Sequence, residues 1–393
     1  MNISFPLCQT QAVLMPYCCE IFSSVAEIPF AQWQRLVHAN NLMFNYEYLN
    51  AIELNQNGNM EFRYVFIQQN EQLVGVAYFQ IVPFKGTQLS SYHASNALLN
   101  SAKNIVLPLI EIKMLVGANL LMTGEKGFFF HASVSAEEMA DAYLYAVQAI
   151  FKSDPSIGAF LMTDVFEQDM LLKNKFQQAN FYSIYEEPDM VMDLQPEWKN
   201  FDDYLQSLSS KYRVRAKKCF SLSTNLERKS LSIEEVSALE EQICALYHNT
   251  IAKSTFALLE LKRGFFAAQK KIFGERYMIF GYFLNGKLVG FNSLYCNKNA
   301  GEVHYIGLDY EVNKTHHIYQ KMLYDMVDCG IGKRFEKLHF GRTAPEIKST
   351  VGAVPVAVSG LLKHRNFFVN RLVVKPLAAA IKPKDFIFRN PFK

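Results

Sequence analysis

Two runs of strand-forming residues, Tyr277 to Leu284 and Lys287 to Tyr295, are separated only by Asn285-Gly286. That dipeptide is the strongest short hairpin signal, because both central residues of a type I′ turn need positive φ. It constrains the chain because the residues after it are patterned as well. A third apolar run, Gly301 to Asp309, leads into the polar segment Glu311 to Thr315. A helical pattern from His316 to Cys329 comes next, then an apolar strand from Phe335 to Phe340 and the charged loop Gly341 to Lys348. A hairpin, a third strand, a crossover helix and a further strand specify a mixed α/β sheet.

The same order occurs earlier. Asn70-Glu-Gln-Leu-Val-Gly75 aligns with Asn285-Gly-Lys-Leu-Val-Gly290. A strand pair (Arg63 to Ile67, Gln72 to Phe79) precedes a strand within Leu109 to Met122. A helix from Ser135 to Phe151, a strand from Ala159 to Thr163 and a helix from Gln168 to Gln178 come after it. This is the pattern of one α/β module present twice. Helices at Ile28 to Asn40 and Phe44 to Leu54 open the first copy, and a strand at Tyr182 to Leu194 closes it. Proline disfavours helix at the residue before it, so Gln195-Pro196 marks the expected boundary between modules 1–195 and 196–393. The second copy opens with a short helix, Phe201 to Leu208, and continues with helices at Ile233 to Lys253 and Phe256 to Phe273, the last interrupted by Gly264.

A chain of 393 residues with 32 Phe and 20 Tyr can fill two large cores. The net charge of +3 is too small to argue for nucleic acid by itself. Seven scattered cysteines without a CxxC pair fit reduced thiols and no metal site. The start of the sequence has no basic and apolar leader, and Ile105 to Met122 is interrupted by Pro108, Glu111 and Lys113, so no membrane span is expected. The expected location is the cytoplasm, including the inner face of its membrane. Two segments are strongly basic. Lys211 to Lys218 holds five cations in eight residues, with Lys211, Arg215 and Lys218 on one helical face. The tail from Phe367 carries Arg371, Lys375, Lys382, Lys384, Arg389 and Lys393 against Asp385, with prolines that argue against a long helix. Such a basic, aromatic tail suits an anionic membrane surface, although a core strand followed by a surface loop is the commoner form of such a segment.

No G-x-S-x-G, Walker A, HExxH or G-x-G-x-x-G pattern is present. The order hairpin, strand, loop, helix, strand instead fits acyl transfer. A bulge in the third strand would free backbone N–H groups to polarise a carbonyl, which places Ile306, Gly307 and Leu308 at the reacting centre. The next helix start would hold an anionic donor, through Asn313, Lys314, Thr315, His316 and His317. Tyr305 and Asp309 share a strand face and are candidates for proton transfer, although a strand-end Asp is commonly a cap. Arg342 and Lys348 come after a strand C-terminus, where α/β sheets place ligands, and are candidates for a substrate anion together with Lys211 and Arg215.

These residues carry a resemblance. Tyr305 before a helix, Phe340-Gly341 ending a strand, Lys348 a few residues on and the basic 211–218 helix resemble the second module of tandem GNAT proteins related to Fem-type peptidyltransferases and the acetyltransferase 6 group. The resemblance implies two GNAT-like modules, mixed sheets flanked by helices, with the active site in the second. It implies an N-acyltransferase with no tightly bound cofactor and acyl-CoA or acyl-carrier protein as co-substrate, and with Lys348 as a third catalytic candidate. The acceptor would be a small-molecule, lipid or peptide amine. Simple GNAT enzymes carry glycines in the pyrophosphate loop, whereas Asn313-Lys-Thr-His-His-Ile-Tyr319 has none. That departure keeps two further readings open: a catalytically degenerate GNAT pair that only binds, and a Fem-like, tRNA-dependent aminoacyl transferase of cell-wall synthesis.

Overall fold

The computed structural model describes residues 17–37, 41–89, 110–253, 258–381 and 385–393. The ends of the helices expected at 28–40 and 256–273, the start of the 109–122 segment, and Lys382 and Lys384 lie outside these residues.

The strands are β1 (Tyr17–Phe22), β2 (Glu61–Gln69), β3 (Gln72–Lys85), β4 (Glu111–Val116), β5 (Phe128–Phe130), β6 (Ile157–Val165), β7 (Tyr182–Tyr185), β8 (Asp189–Asp193), β9 (Leu226–Ser230), β10 (Tyr277–Leu284), β11 (Lys287–Asn297), β12 (Ala300–Leu308), β13 (Lys337–His339), β14 (Val354–Val356) and β15 (Ser359–His364). They form two sheets, in the orders β1-β2-β3-β4-β6-β15-β7, with β5 also on β3, and β14-β8-β13-β12-β11-β10-β9. Each is mixed: an antiparallel meander continued by one parallel pair, β4 with β6 and β12 with β13.

The duplication extends to hydrogen-bond register. Asn70 and Glu71 (φ 50° and 65°) match Asn285 and Gly286 (φ 51° and 77°) in the two turns. The register shifts in equivalent places, between Ile67 and Gln68 and between Tyr282 and Phe283. The shared glycine is explained by packing. A Cβ on Gly75 would strike the Phe130 ring at 2.5 Å, and one on Gly290 would reach Met322 Cε at 2.8 Å.

The modules are not separated by a cut at 195/196. The segment expected as one strand from Tyr182 to Leu194 breaks at Glu186-Glu187-Pro188. β7 before the break belongs to the first sheet, and β8 after it pairs with β13 and β14 of the second. In exchange, β15 from the far end of the chain inserts between β6 and β7. The apolar layer between the sheets is also shared. Trp33, Tyr48 and Tyr64 of the first module join Leu246, Tyr247, Phe266 and Phe291 of the second in one buried cluster. A second cluster lies on the far side of the second sheet and takes in Tyr204, Tyr212, Tyr324 and Leu338.

Several helical expectations change: of the helices expected at 28–40 and 256–273, only Phe30–Leu36 and Phe265–Phe273 are helical among the described residues. Glu311 to Thr315 is not a loop but part of a helix, Tyr310–His316, and the crossover helix begins later, at Ile318, and runs to Gly332. The tail is helical over short consecutive segments from Phe367 to Ala380. A π turn at Asn370–Val374 precedes Pro376 and absorbs its missing N–H. No helix among the described residues is long and apolar enough to cross a membrane.

Candidate active site

The site is built around an irregularity in β12. Val303 pairs with Leu294 and Ile306 with Asn292, so His304 and Tyr305 together oppose Ser293. This is a β-bulge in the expected strand, but it lies at His304 and Tyr305, just before Ile306, Gly307 and Leu308. Ser293 fills it: Oγ accepts the Tyr305 N–H (3.0 Å) and lies 3.1 Å from the Tyr277 hydroxyl. Tyr277 reaches His304 Nδ1 (3.0 Å), and His304 Nε2 meets the Leu121 carbonyl of the first module (2.5 Å). A carbonyl only accepts, so Nε2 carries the proton and Nδ1 accepts from Tyr277. The imidazole is neutral, because burial pushes it down to about 4.

β12 pairs with β13 only from Ala300 to Glu302, and past that point the two strands part. The Asp309 N–H bonds to Val289 of β11 (2.9 Å). By strand alternation the Gly307 amide faces β11 too, while those of Ile306 and Leu308 face the opening. The Leu308 carbonyl agrees with this orientation by accepting from Asn249 Nδ2 (3.2 Å) on the helix Ile233–Ile251. Gly307 has a packing reason to be glycine: its Cβ would lie 2.6 Å from the Leu246 backbone of the same helix.

Asp309 follows β12 and caps the next helix, with Oδ1 accepting from the N–H groups of Glu311 (3.0 Å) and Val312 (3.2 Å). Its carboxylate is thus engaged as a cap and not free as a base. Tyr305 is wedged edge-on against Tyr247, Phe265 and Phe266. Burial raises its phenol well above the usual range, so it keeps its proton near neutrality and is no phenolate base. At the joint between the two helices His317 takes the left-handed conformation (φ 50°, ψ 40°) that glycine would adopt more readily. Asn313 Oδ1 accepts from Tyr319 N–H (2.9 Å) and caps the second helix.

Next to this joint lies a groove of two connected recesses, about 560 Å³ and 280 Å³, which share Arg215 and Ile347. One wall is the basic helix Ser210–Leu222, which buries Tyr212, Ala216 and Cys219 and turns its cations outward. Lys211 and Arg215 line the larger recess, and Arg215 and Lys218 the smaller, opposite Asn313 and His317. Among the described residues none of the five cations from Lys211 to Lys218 forms an ion pair, so the groove keeps its positive charge. Cys219 lines the smaller recess, but burial pushes its thiol up to about 12 and keeps it protonated.

The structure therefore joins Lys211 and Arg215 to Asn313 and His317. It does not bring Lys314, Thr315 or His316 to the groove. Lys314 pairs with Glu311 on the exposed side, and Thr315 bonds the Val312 carbonyl and His316 Nδ1. Arg342 is not available to a substrate anion, because it bridges to Glu186 (3.1 Å) and Asp164 (3.6 Å) of the first module. Lys348 is buried, with Nζ donating to the carbonyls of Gly341 (3.0 Å) and Arg342 (2.5 Å). It staples a turn in which Gly341, Thr343 and Ala344 all have positive φ. Burial pushes Lys348 down to about 7, against the pull of Asp189 and Glu187. Sequence reasoning missed Tyr319, Gln320, Ile347 and Arg389 as groove residues. Tyr319 and Gln320 fall into place once the helix start is set after His317. Arg389, which pairs with Glu346, carries no local signal.

No protein-family profile matches the chain. No curated protein is similar to it in sequence. Solved structures are similar in fold. The crystal structure of FemX superimposes with a TM-score of 0.50 at 12% identity, covering 82% of this chain and 92% of that one. A tandem GNAT protein from the clavulanic acid biosynthesis pathway, solved without AcCoA, gives 0.50 at 8% identity, covering 88% and 99%. The chain is a tandem GNAT-fold protein. The fold similarity extends over nearly the full length of FemX and of the clavulanic-acid-pathway protein.

Proposed function

We propose that the protein transfers an acyl or aminoacyl group from an activated thioester or ester to an amine. The donor lies along the groove, with its anionic part against Lys211, Arg215 and Lys218 and its carbonyl in the opening beside Ile306 and Leu308. The observation that carries this reading is a bulged, splayed strand followed directly, through Asp309 and the helix Tyr310–His316, by Asn313 and His317 on the wall of an unneutralised cationic groove. The amine nitrogen attacks the carbonyl carbon, and the oxyanion of the tetrahedral intermediate is met by a backbone N–H of the opening. The bond to the leaving sulfur or oxygen then breaks, and the leaving group takes up the proton that the amine has lost. Transfer is direct, because the Cys219 thiol is held protonated. The co-substrate is acyl-CoA or acyl-carrier protein, and no cofactor is held tightly.

The occupied state of Asp309 favours a second reading, in which the pair binds a ligand without turnover. Calorimetry with acetyl-CoA, an acylated carrier protein and charged tRNA, alongside release of free thiol in the presence of polyamines and lipid amines, separates the two. The proposal expects thiol release, and donor affinity at least tenfold weaker in Lys211→Glu/Arg215→Glu with melting unchanged. Binding without release of product supports the second reading. Equal donor affinity in the double variant overturns the placement of the donor.

A further inference from the structure

The helical run Phe367 to Ala380 takes no part in the site. It docks on the first module through one face. Asn370, Val374 and Ala378, spaced by four, are buried. Asn370 is tied at both ends of its amide, accepting from His364 N–H and donating to the Asn180 carbonyl (2.9 Å each). The run is thus held rigidly, with a fixed outer face.

That outer face carries Phe368, Arg371, Leu372 and Lys375, with Phe367 beside it at the helix start. Phe368 is 69% exposed, Leu372 70% and Phe367 60%. A helix facing water presents polar residues there, so contiguous exposed apolar groups on an anchored helix mark a contact surface. Its charge says what kind. Arg371 and Lys375 form no ion pair among the described residues, and from Ile347 to Lys384 the sequence contains no acidic residue. Hence we infer that this face lies on an anionic lipid surface, with Phe367, Phe368 and Leu372 entering the acyl boundary. Arg371 and Lys375 reach outward from the same face to the headgroup phosphates. A second copy of the chain fits the face less well, because a two-fold contact would set Arg371 and Lys375 against their own equivalents without acids to neutralise them. The inference does not depend on the transferase reading.

Sedimentation of the full chain with vesicles tests it. Binding is expected to phosphatidylcholine vesicles containing phosphatidylglycerol, weakening as salt rises, with little binding to phosphatidylcholine alone. Phe368→Ser/Leu372→Ser and Arg371→Gln/Lys375→Gln should each weaken binding at least tenfold. Both pairs are exposed, so an unchanged melting curve shows that the fold is intact. Failure to bind the anionic vesicles overturns the inference. So does parental binding by both variants, equal binding to neutral vesicles, or a lipid-free dimer that the Ser variant dissolves.

Discussion

Arg342 Nη1 lies 3.1 Å from Glu186 Oε2, joining the loop after β13 of the second module to the end of β7 in the first. Asp164, itself nearly inaccessible, shares the same guanidinium at 3.6 Å. Burial pushes Glu186 up, and Arg342 opposes that push. Removing the cation strands two carboxylates in the junction. Arg342→Ala should lose about 3–5 kcal/mol in urea unfolding, and Glu186→Gln in the same chain should restore part of it. Donor affinity of the folded fraction should stay at the parental value, because Arg342 binds the first module and not the donor.

His304 makes the junction sensitive to acid. Its folded pKa of about 4 lies below the ordinary 6.5, so the unfolded chain takes up a proton before the folded one does. Stability is therefore present above pH 6.5 and lost as pH falls from 6.5 towards 4, by about 3 kcal/mol in full. His304→Gln should flatten this part of the curve of unfolding free energy against pH. An unchanged slope would assign the acid sensitivity to other groups.

Lys348 works in the opposite range. Its folded pKa of about 7 lies below the ordinary 10.5, so between these values the unfolded chain holds a proton that the folded one has released. Stability should rise with pH across that window in the parent relative to Lys348→Met, which keeps the packing and removes the titration. Lys348→Ala should cost about 2 kcal/mol or more, from the emptied space and the released turn at Gly341 to Ala344. If the parent and the Met variant run parallel from pH 7 to 10, Lys348 is charged in the fold.

His317 holds a left-handed conformation at the helix joint. His317→Gly should leave stability unchanged or raise it by up to about 1 kcal/mol, whereas the β-branched His317→Val should lower it by about 1 kcal/mol or more. Thermal melting of the two variants reads the difference directly. The Val variant should also bind donor more weakly, since the residue lines the smaller recess.

The features legible in the sequence were local. Asn285-Gly286 and its counterpart at Asn70-Glu71 announced the hairpins because turn chemistry is written in adjacent residues. Lys211, Arg215 and Lys218 showed their common face through helical spacing. The helix Tyr310–His316 is short and polar, with no apolar periodicity to mark it, so the cap expected of Asp309 did not by itself announce a helix after it. Arg342 and Lys348 were misplaced as anion binders for a different reason. Arg342 pairs with Glu186 and Asp164, and a pairing between distant segments leaves no mark on either; Lys348 folds back on the carbonyls of its own turn, which residue type alone does not signal.

The strand exchange has a consequence for the order in which the protein can be made. β15 lies between β6 and β7, so the first sheet has a gap in its interior until residues 359–364 leave the ribosome. While the second half of the chain is made, the N-terminal half waits with two unpaired inner edges, at Ile157–Val165 and Tyr182–Tyr185. Those edges are places where a chaperone would need to hold it, and where two nascent chains could complete each other's sheet instead of their own.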